Sequence, residues 1–221
     1  MKALIKLAIC FLPWKIKRWV LTRFFQYELH PTAYIGYSFI FPKVLKMGEG
    51  AKIDHLTTAH KLHAIEMGPH SFMGRFNWIT GLPLEERHRC AHQANRMPRL
   101  RLGEHAAITY RHLIICTDEV SLGAFSIIGG FRSQIITHAA DLETNRVGSA
   151  PVTIGDYSLI GSGCILLAGS SVPERCVVGA ASLLNKALPD TETMYAGVPA
   201  VARKKLDKNL GFFTRKVGWI D

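Results

Sequence analysis

The sequence predicts an all-β fold in which short parallel strands wind into a three-sided solenoid. The strongest observation is a strict spacing of six between aliphatic residues, which are Ile154, Ile160, Leu166, Val172, Val178 and Leu184. A small residue follows four positions after each of the first five, at Ser158, Cys164, Ser170, Cys176 and Ser182. Pairs of an aliphatic residue or Met with Gly also recur, and twenty residues separate Met47 from Met67 and Leu102 from Leu122.

The six-residue period excludes the other regular structures. An α-helix repeats its apolar face every three to four residues, and a half-buried antiparallel strand repeats it every two. A coil of three short parallel strands, about eighteen residues long, places one inward aliphatic residue on each of its sides. Such coils stack because none of them can bury its inner face alone. Gly at a corner permits the tight turn between two sides.

The composition indicates which classes of partner the protein could bind and in which cellular compartment it works. The chain has 221 residues, with 27 Lys and Arg against 17 Asp and Glu. This charge suits phosphorylated ligands, an anionic membrane or nucleic acid. Nucleic acid is disfavoured because the basic residues lie at the termini and in loops without interleaved aromatic residues. The five cysteines form no CxxC pair, and Cys164 and Cys176 occupy the small position of the repeat, so we expect these two to be reduced packing residues of a cytoplasmic protein.

Residues 1–28 predict a basic amphipathic helix. Apolar residues recur there at helical spacing, with lysines and arginines between them. Pro13 and the basic residues that directly follow the apolar run do not fit a signal peptide. Two interpretations stay open. Residues 1–25 either bind the inner face of the cytoplasmic membrane through anionic headgroups or pack on the protein body or a neighbouring subunit.

The solenoid is expected over residues 29–200. Two segments without a period interrupt it, at residues 81–100 and 139–151, and we interpret both as loops that leave the coil and return. Loops on a rigid scaffold usually carry function, and the second is the better candidate because His138 precedes it. Residues 201–221 lose the repeat, so we expect them to cap the open end with a short helix.

Two stretches carry a resemblance to a known family. The segments "IGDYSLIGSGCILLAG" and "VVGAASLLNKALPDTETMYAGVPA" resemble the C-terminal coils of the hexapeptide-repeat acyltransferases, and more narrowly the bacterial sugar O-acetyltransferases. The resemblance is plain over residues 100–204 and weaker over 27–80. It implies a left-handed parallel β-helix, a homotrimer with clefts between subunits, and transfer of an acetyl group from acetyl-CoA to a saccharide hydroxyl. Some members modify lipid-linked glycans of bacterial surface polysaccharides, and the family pattern implies no metal.

The resemblance also implies a catalytic base. Acyl transfer to a hydroxyl requires removal of its proton, and a neutral imidazole can accept that proton near pH 7. His138 stands where the family has this base, at the end of a coil before a loop. Asp141 is then expected to orient the imidazole, as carboxylates do in triads. Alanines at positions 139 and 140 differ from the pattern of many relatives, so the local geometry is expected to differ.

The family pattern places the acyl donor along coil corners and at the C-terminal end of the solenoid. Corner residues that would contact pantetheine are Ser162 and Ala180. Basic residues that would meet the phosphates through charge-assisted hydrogen bonds are Lys186, Arg203 and Lys204. Leu159 stands where many relatives have Trp, so one wall of the groove is expected to differ.

Candidates for the saccharide site come from residues that suit the repeat poorly. His112 occupies a small-residue position, four places after Ile108. It is expected either to face the acceptor, with Tyr110 and Arg111, or to be a turn residue bonded to backbone. Asp118 is a similar candidate.

Two other classes of function stay open at this stage. Some left-handed β-helix trimers resemble γ-carbonic anhydrases, which bind zinc through three histidines, and this chain has 10 histidines. A solenoid without catalytic activity, serving as a scaffold, is the second alternative. Stoichiometric zinc in the pure protein would favour the first, and the absence of acetyl-CoA binding would favour the second.

Overall fold

The computed structural model describes residues 2–86, 90, 93 and 95–220, and it confirms the predicted parallel solenoid. Two helices precede the solenoid, α1 at Lys2–Cys10 and α2 at Trp14–Phe24. A single helix was expected over residues 1–28. Pro13 divides it, because proline lacks an amide hydrogen and clashes with the preceding helical turn, and the second helix begins at the next residue.

Three parallel sheets form the three sides of the solenoid. The first sheet contains, in spatial order, β1 (Glu28–Leu29), β4 (Val44–Met47), β7 (Ala64–Met67), β10 (Arg99–Leu102), β13 (Val120–Leu122), β18 (Val152–Ile154) and β21 (Ser171–Val172). The second contains β2 (Tyr34–Ile35), β5 (Lys52–Ile53), β8 (Phe72–Met73), β11 (Ala107–Tyr110), β14 (Ile127–Phe131), β19 (Leu159–Ile160), β22 (Val177–Val178), β24 (Thr193–Gly197) and β25 (Ala200–Lys205). The third contains β3 (Phe39–Phe41), β6 (Thr58–His60), β9 (Trp78–Gly81), β12 (Leu113–Cys116), β15 (Gln134–Ile136), β20 (Ile165–Leu167) and β23 (Leu183–Leu184).

The strand register confirms the six-residue pattern. The partners eighteen residues apart are Ile154 with Val172, Ile160 with Val178, and Leu166 with Leu184. All six side chains are buried, and so are the five small residues that follow them at the corners. The longer coils pair Met47 with Met67 and Leu102 with Leu122. Each aliphatic residue therefore stacks on its equivalent in the next coil.

The corner between the first and second sheets forms what we call the aromatic edge, which carries His70, His105, Phe125 and Tyr157. These residues have φ between 54° and 57°, a conformation that costs about 1 kcal/mol or more for a residue with a Cβ atom. Their successive rings lie 4.7 to 4.9 Å apart, and aromatic contacts of this kind offset part of that cost.

The C-terminal segment lies along the aromatic edge. The Arg215 guanidinium stacks on Phe212 at 3.9 Å and faces Tyr157 at 5.6 Å, and it donates a hydrogen bond to the Phe125 carbonyl. A short helix at Gly211–Thr214 is present, as expected. Residues 201–205, however, form part of β25 rather than of the helical cap, because β25 pairs antiparallel with the otherwise free edge of β24.

The outer faces of the sheets differ in polarity. The first sheet carries a ladder of charges in which Arg101 lies 3.3 Å from Glu66 and Lys46 lies 2.8 Å from Glu28. The outward positions of the third sheet are mostly apolar and at least partly accessible. They include Trp78, Leu113, Ile115, Ile136, Ile165, Leu167 and Leu183. The first sheet therefore suits water, whereas the third suits an apolar contact.

Helix α2 closes the N-terminal end of the solenoid. Lys17 lies buried under the first coil, where its ammonium donates to the carbonyls of Gly36 at 2.6 Å and Cys10 at 3.3 Å. Burial lowers the pKa of Lys17 to about 8. The five cysteines are free and buried. Within residues 2–86 and 95–220, no helix combines the length and apolarity needed to cross a membrane.

Candidate active site at the loop edge

Both inserted segments leave the solenoid where the third sheet passes to the first, a corner that we call the loop edge. The first segment connects β9 with β10, and the second connects β15 with β18. Between them lies one short corner, residues 117–119. The second segment is a β-hairpin of β16 (His138–Asp141) and β17 (Arg146–Ser149) rather than an irregular loop. Its two strands satisfy each other's backbone hydrogen bonds outside the coil.

His138 is the first residue of this hairpin and is only partly buried. Its Nδ1 lies 3.4 Å from the hydroxyl of Thr117, which is buried in the short corner. Nε2 makes no hydrogen bond within the described residues. The ring is therefore held from the Nδ1 side, and its other nitrogen is available to a ligand.

Asp141 does not orient this imidazole, contrary to the expectation. Its carboxylate accepts from the Thr144 hydroxyl at 2.7 Å and from the Glu143 amide at 3.0 Å. The Thr144 bond is the main reason that the pKa of Asp141 lies below its ordinary value. Residues three apart on a strand point to opposite faces, so Asp141 shapes the turn of the hairpin instead.

His112 is also placed differently from its expected acceptor role. It is 2% exposed and fills a corner position inside the coil. Its Nδ1 accepts from the Ser133 amide at 3.1 Å, which leaves Nε2 to donate to the Thr109 hydroxyl at 3.0 Å. Burial lowers the pKa of His112 to about 4. His112 is thus a neutral structural residue, which was the alternative interpretation of its position.

Tyr110 and Arg111 lie on a different edge, where the second sheet passes to the third. We call it the arginine edge, after Arg111 and Arg132. Both Tyr110 and Arg111 are exposed, and the Arg111 guanidinium lies 5.4 Å above the Phe76 ring. These two residues remain accessible to a ligand, but the third sheet separates them from His138 of the same chain.

The predicted pantetheine residues, Ser162 and Ala180, lie on the arginine edge in later coils, nearer the C-terminal end of the solenoid. The Ser162 carbonyl accepts from the Ala181 amide at 2.9 Å, so the corners of Ser162 and Ala180 stack directly. A Cβ atom on Gly130 would stand 1.7 Å from the Ser162 hydroxyl. Gly at position 130 therefore leaves the space in which Ser162 sits.

The three predicted phosphate-binding residues do not share one location. Arg203 lies near the arginine edge, where its Nε donates to the Ala196 carbonyl at 3.2 Å. Lys204 stands in β25 opposite Met194. Lys186 follows β23 at the loop edge. All three side chains are exposed.

A groove of about 600 Å³ runs along the outer face of the second sheet. Gly129, Gly130 and Leu159 line one wall, and Trp219 and Ile220 of the C-terminal segment line another. The Trp219 indole thus lines the same groove as Leu159, the position where many relatives have Trp. A second depression of about 550 Å³ follows the charged face of the first sheet, where neither His138 nor the arginine edge contributes.

Sequence reasoning missed the residues that hold the two inserted segments together. Gln93 and Ser149 join the two segments directly, Arg96 ties the first segment to the short corner, and Asp118 was noted only as an acceptor candidate. Arg96 is buried and donates to the carbonyls of Leu82, Pro83 and Thr117. These residues lie in segments without a repeat, so no periodic signal marked them.

The three parallel sheets and the corner repeat define a parallel β-helix of the hexapeptide-repeat type, left-handed like the similar structures. No known protein family's sequence profile matches the chain. One curated relative, "Putative acetyltransferase YvoF" of Bacillus subtilis (strain 168), is 32% identical over 77 residues, which are 35% of this chain and 43% of the relative. The match thus spans less than half the length of that relative.

Three solved structures are similar in fold. AntD, an N-acyltransferase from Bacillus cereus in complex with dTDP-4-amino-4,6-dideoxyglucose and coenzyme A, is 17% identical with a TM-score of 0.60, over 73% of this chain and 83% of that one. A maltose O-acetyltransferase from Clostridium difficile 630 is 22% identical with a TM-score of 0.50, over 63% and 68%. A hexapeptide-repeat acetyltransferase from Vibrio cholerae with acetyl coenzyme A is 18% identical with a TM-score of 0.50, over 93% and 85%. These likenesses confirm the fold.

Proposed function

We propose that the protein is an acetyl-CoA-dependent O-acetyltransferase that acts on a saccharide. The observation that carries this proposal is His138, whose imidazole stands at the base of the hairpin with Nδ1 near Thr117 and Nε2 unbonded among the described residues. Support for the substrates comes from the similar proteins, one of which is a maltose O-acetyltransferase and another of which binds acetyl coenzyme A.

In the proposed reaction, Nε2 of His138 accepts the proton of the acceptor hydroxyl. The hydroxyl oxygen bonds to the thioester carbonyl carbon, and the carbon–sulfur bond then breaks. The imidazolium returns its proton to the departing thiolate, which gives an O-acetyl sugar and free coenzyme A. A primary amine on the sugar would react through the same base.

We assign the donor to the arginine edge. Stacked corners at Ser162 and Ala180 provide backbone groups along a line, and the groove beside Gly130 and Leu159 is mostly apolar. An apolar channel with a few backbone polar groups suits a pantetheine arm. Arg203 lies at the end of this line and is exposed, where it would meet a phosphate.

This assignment requires two copies of the chain. His138 lies at the loop edge, whereas Ser162 and Ala180 lie at the arginine edge, on the opposite side of the third sheet. A homotrimer joins the loop edge of one subunit to the arginine edge of the next, because each contact in a closed ring is heterologous. The apolar outer face of the third sheet is available for that contact.

The base is tested by changing His138 to Ala. We expect turnover to fall by roughly 10²–10⁴-fold, measured as acetyl transfer to a panel of pyranosides, with acetyl-CoA binding unchanged. His30→Ala is the matched control, because His30 is exposed and its imidazole bonds, among the residues that the structure describes, only to Thr32. Full activity in His138→Ala would remove this residue from the mechanism.

The donor site is tested by the double change Lys186→Ala and Arg203→Ala. We expect weaker acetyl-CoA binding in calorimetry, because Arg203 lies near the arginine edge that holds the donor and Lys186 lies at the loop edge that the proposed trimer brings against it, so each substitution removes a cation that would pair with a phosphate. Unchanged affinity would contradict the assignment. Failure of the wild-type protein to bind acetyl-CoA at all would favour a scaffold.

The acceptor is proposed to be a lipid-linked glycan at the inner face of the cytoplasmic membrane. Packing of α1 and α2 buries one helical face and leaves large apolar side chains exposed, namely Leu4, Ile5, Leu7, Phe11, Ile16, Trp19 and Phe24. Lys15 and Arg23 are exposed on the same helical pair. Apolar and basic residues together suit an anionic membrane surface.

The membrane proposal is tested by sedimentation with vesicles. We expect binding to vesicles that contain phosphatidylglycerol and little binding to phosphatidylcholine alone. Combined Trp19→Ser and Phe24→Ser substitutions should abolish it. Val198→Ser is the control, because Val198 is exposed but lies at the opposite end of the solenoid. A changed oligomeric state with unchanged vesicle binding would show that the helices contact a neighbouring subunit instead.

The zinc-enzyme alternative has less support in this chain. Among the described residues, no three His, Cys, Asp or Glu side chains converge as a metal site within one copy. Metal analysis of the pure protein tests this alternative directly, and stoichiometric zinc would favour it.

A further inference from the structure

The short corner of the loop edge connects both inserted segments through one carboxylate. Asp118 Oδ1 accepts from the Met97 amide at 3.1 Å, at the end of the first segment. Asp118 Oδ2 lies 3.2 Å from the Ser149 hydroxyl, in the last residue of the hairpin. Within the described part of the chain, no other residue of the short corner has a side chain that hydrogen-bonds to both inserted segments.

Ser149 is the cross-strand partner of His138 in the hairpin. Directly paired residues of an antiparallel ribbon project to the same face. The contact between Asp118 and Ser149 therefore also restrains the strand that carries His138. Gln93 of the first segment adds to this contact. Its amide donates to the Ser149 carbonyl at 3.1 Å, and its oxygen lies 2.8 Å from the Ser149 hydroxyl, so the one hydroxyl proton is shared between Gln93 and Asp118.

The backbone of the corner fixes the other strand of the hairpin. The Asp118 amide donates to the Thr137 hydroxyl at 2.9 Å, and Thr137 immediately precedes His138. The Thr137 hydroxyl in turn donates to the Ile115 carbonyl at 2.8 Å. Asp118 therefore contacts both ends of the hairpin where it joins the solenoid.

The structure assigns Asp118 as a positioning residue for His138: the Asp118 carboxylate ties Ser149 of the hairpin to the first inserted segment, while the Asp118 backbone amide bonds to Thr137. This inference rests on the proposed function for its catalytic consequence. It replaces Asp141 in the orienting role, but the carboxylate acts on the backbone frame of the hairpin rather than on the imidazole itself.

The test compares Asp118→Ala, Asp118→Asn and Asp156→Ala. Asp156 is the matched control, because its Oδ1 likewise accepts from a corner amide, that of Ala124 at 2.8 Å, but at the aromatic edge. In Asp118→Ala, we expect faster amide hydrogen exchange over residues 138–149 and a kcat lower by about 10–100-fold, as misplacement of a catalytic group causes. The Kd for acetyl-CoA should not change.

Asp118→Asn should recover part of the kcat, because an amide oxygen still accepts from the Met97 amide. Asp156→Ala should match the wild type in hairpin exchange and in kcat. Unchanged exchange of the hairpin in Asp118→Ala, or equal losses in the two alanine variants, would overturn the assignment. If the wild-type protein transfers no acetyl group to any acceptor, the proposed function fails, while the exchange measurement still decides whether Asp118 positions the hairpin.

Discussion

At the scale of single residues, His112 and His138 were both candidate site residues in the sequence, but they differ in burial and in the hydrogen bonds of their rings. His112 lies inside the coil with both ring nitrogens bonded, whereas His138 keeps one nitrogen unbonded among the described residues. His112 was chosen as a candidate because it occupies a small-residue corner position, four residues after Ile108. The structure shows that this histidine is there as part of a buried hydrogen-bond network. The local sequence does not encode which way such a side chain points.

His112 gives a prediction for acid stability. Its folded pKa of about 4 lies below the ordinary value of 6.5, so the unfolded chain binds the proton more readily between these values. The free energy of unfolding should therefore fall as pH drops from 6.5 to 4, by up to roughly 3 kcal/mol from this group.

Chemical denaturation of the wild type and of His112→Gln at pH 7 and pH 4.5 measures this effect. The variant should be less stable at pH 7, because the Ser133 amide loses its partner, and should lose less stability on acidification. Equal acid sensitivity in the two proteins would contradict the assignment of a neutral, buried His112.

At the same scale, the sequence located the candidate base but not its partners. His138 was selected because the family pattern marks the residue that precedes the loop, and its role as the base stays a prediction. Asp118, Gln93 and Ser149 could not be assigned to it, because their contacts join segments 56 and 31 residues apart in sequence. Asp141 was misassigned because proximity in sequence does not imply proximity of side chains on a strand.

At the scale of elements, the six-residue period predicted the strands and the corners, since each coil repeats the same inward positions. It could not predict the hairpin at 138–149 or strand β25. Both form antiparallel pairs outside the repeat, and their sequences satisfy backbone hydrogen bonds without contributing to the periodic core. The single helix expected at the N-terminus became two because Pro13 ends the first.

Gly130 and Gly163 give a prediction about the arginine edge. Both have left-handed φ, of 69° and 68°, but a Cβ atom on Gly130 would strike Ser162, whereas one on Gly163 would meet nothing within 4 Å. Gly163→Ala should cost about 1 kcal/mol of stability from backbone strain. Gly130→Ala should cost more and should also weaken acetyl-CoA binding, because Ser162 must move.

Thermal unfolding and calorimetric titration with acetyl-CoA distinguish these outcomes. Equal effects of the two substitutions on both measurements would show that the packing of Ser162 against Gly130 does not shape the donor groove.

Lys17 gives a prediction about the helical cap. Burial holds its folded pKa at about 8, below the ordinary 10.5, so the unfolded chain binds the proton more readily above pH 8. The free energy of unfolding should therefore gain a contribution as pH rises from 8 to 10.5, on the order of 3 kcal/mol.

Comparison with Lys17→Met isolates this contribution, and Lys15→Met is the control because Lys15 is exposed on the same helix. The wild type and Lys15→Met should both gain stability over this pH range relative to Lys17→Met. Parallel pH profiles of all three proteins would contradict a buried ammonium beneath the first coil.

At the scale of the whole molecule, the outer faces of the three sheets differ in polarity and shape. The first sheet presents ion pairs to water, the third presents apolar side chains suited to another subunit, and the second carries the groove beside the C-terminal segment. The sequence predicted the solenoid but not this division, because outward positions follow no strict repeat. The faces become distinct only when the coils are stacked.

The central claim is that acetyl transfer joins His138 of one subunit to the arginine edge of another. It is tested most directly by co-expressing two inactive variants, His138→Ala and Ala180→Glu, with different affinity tags. Ala180 is exposed, so the longer side chain should leave the fold intact while blocking the place proposed for the pantetheine arm.

In a trimer that contains both variants, one of the three interfaces combines an intact loop edge with an intact arginine edge, or about a third. Each variant alone should be inactive, and oligomers carrying both tags should recover acetyl transfer up to about a third of the wild-type rate. Mixed oligomers that stay inactive, although each variant folds and assembles, would contradict the claim.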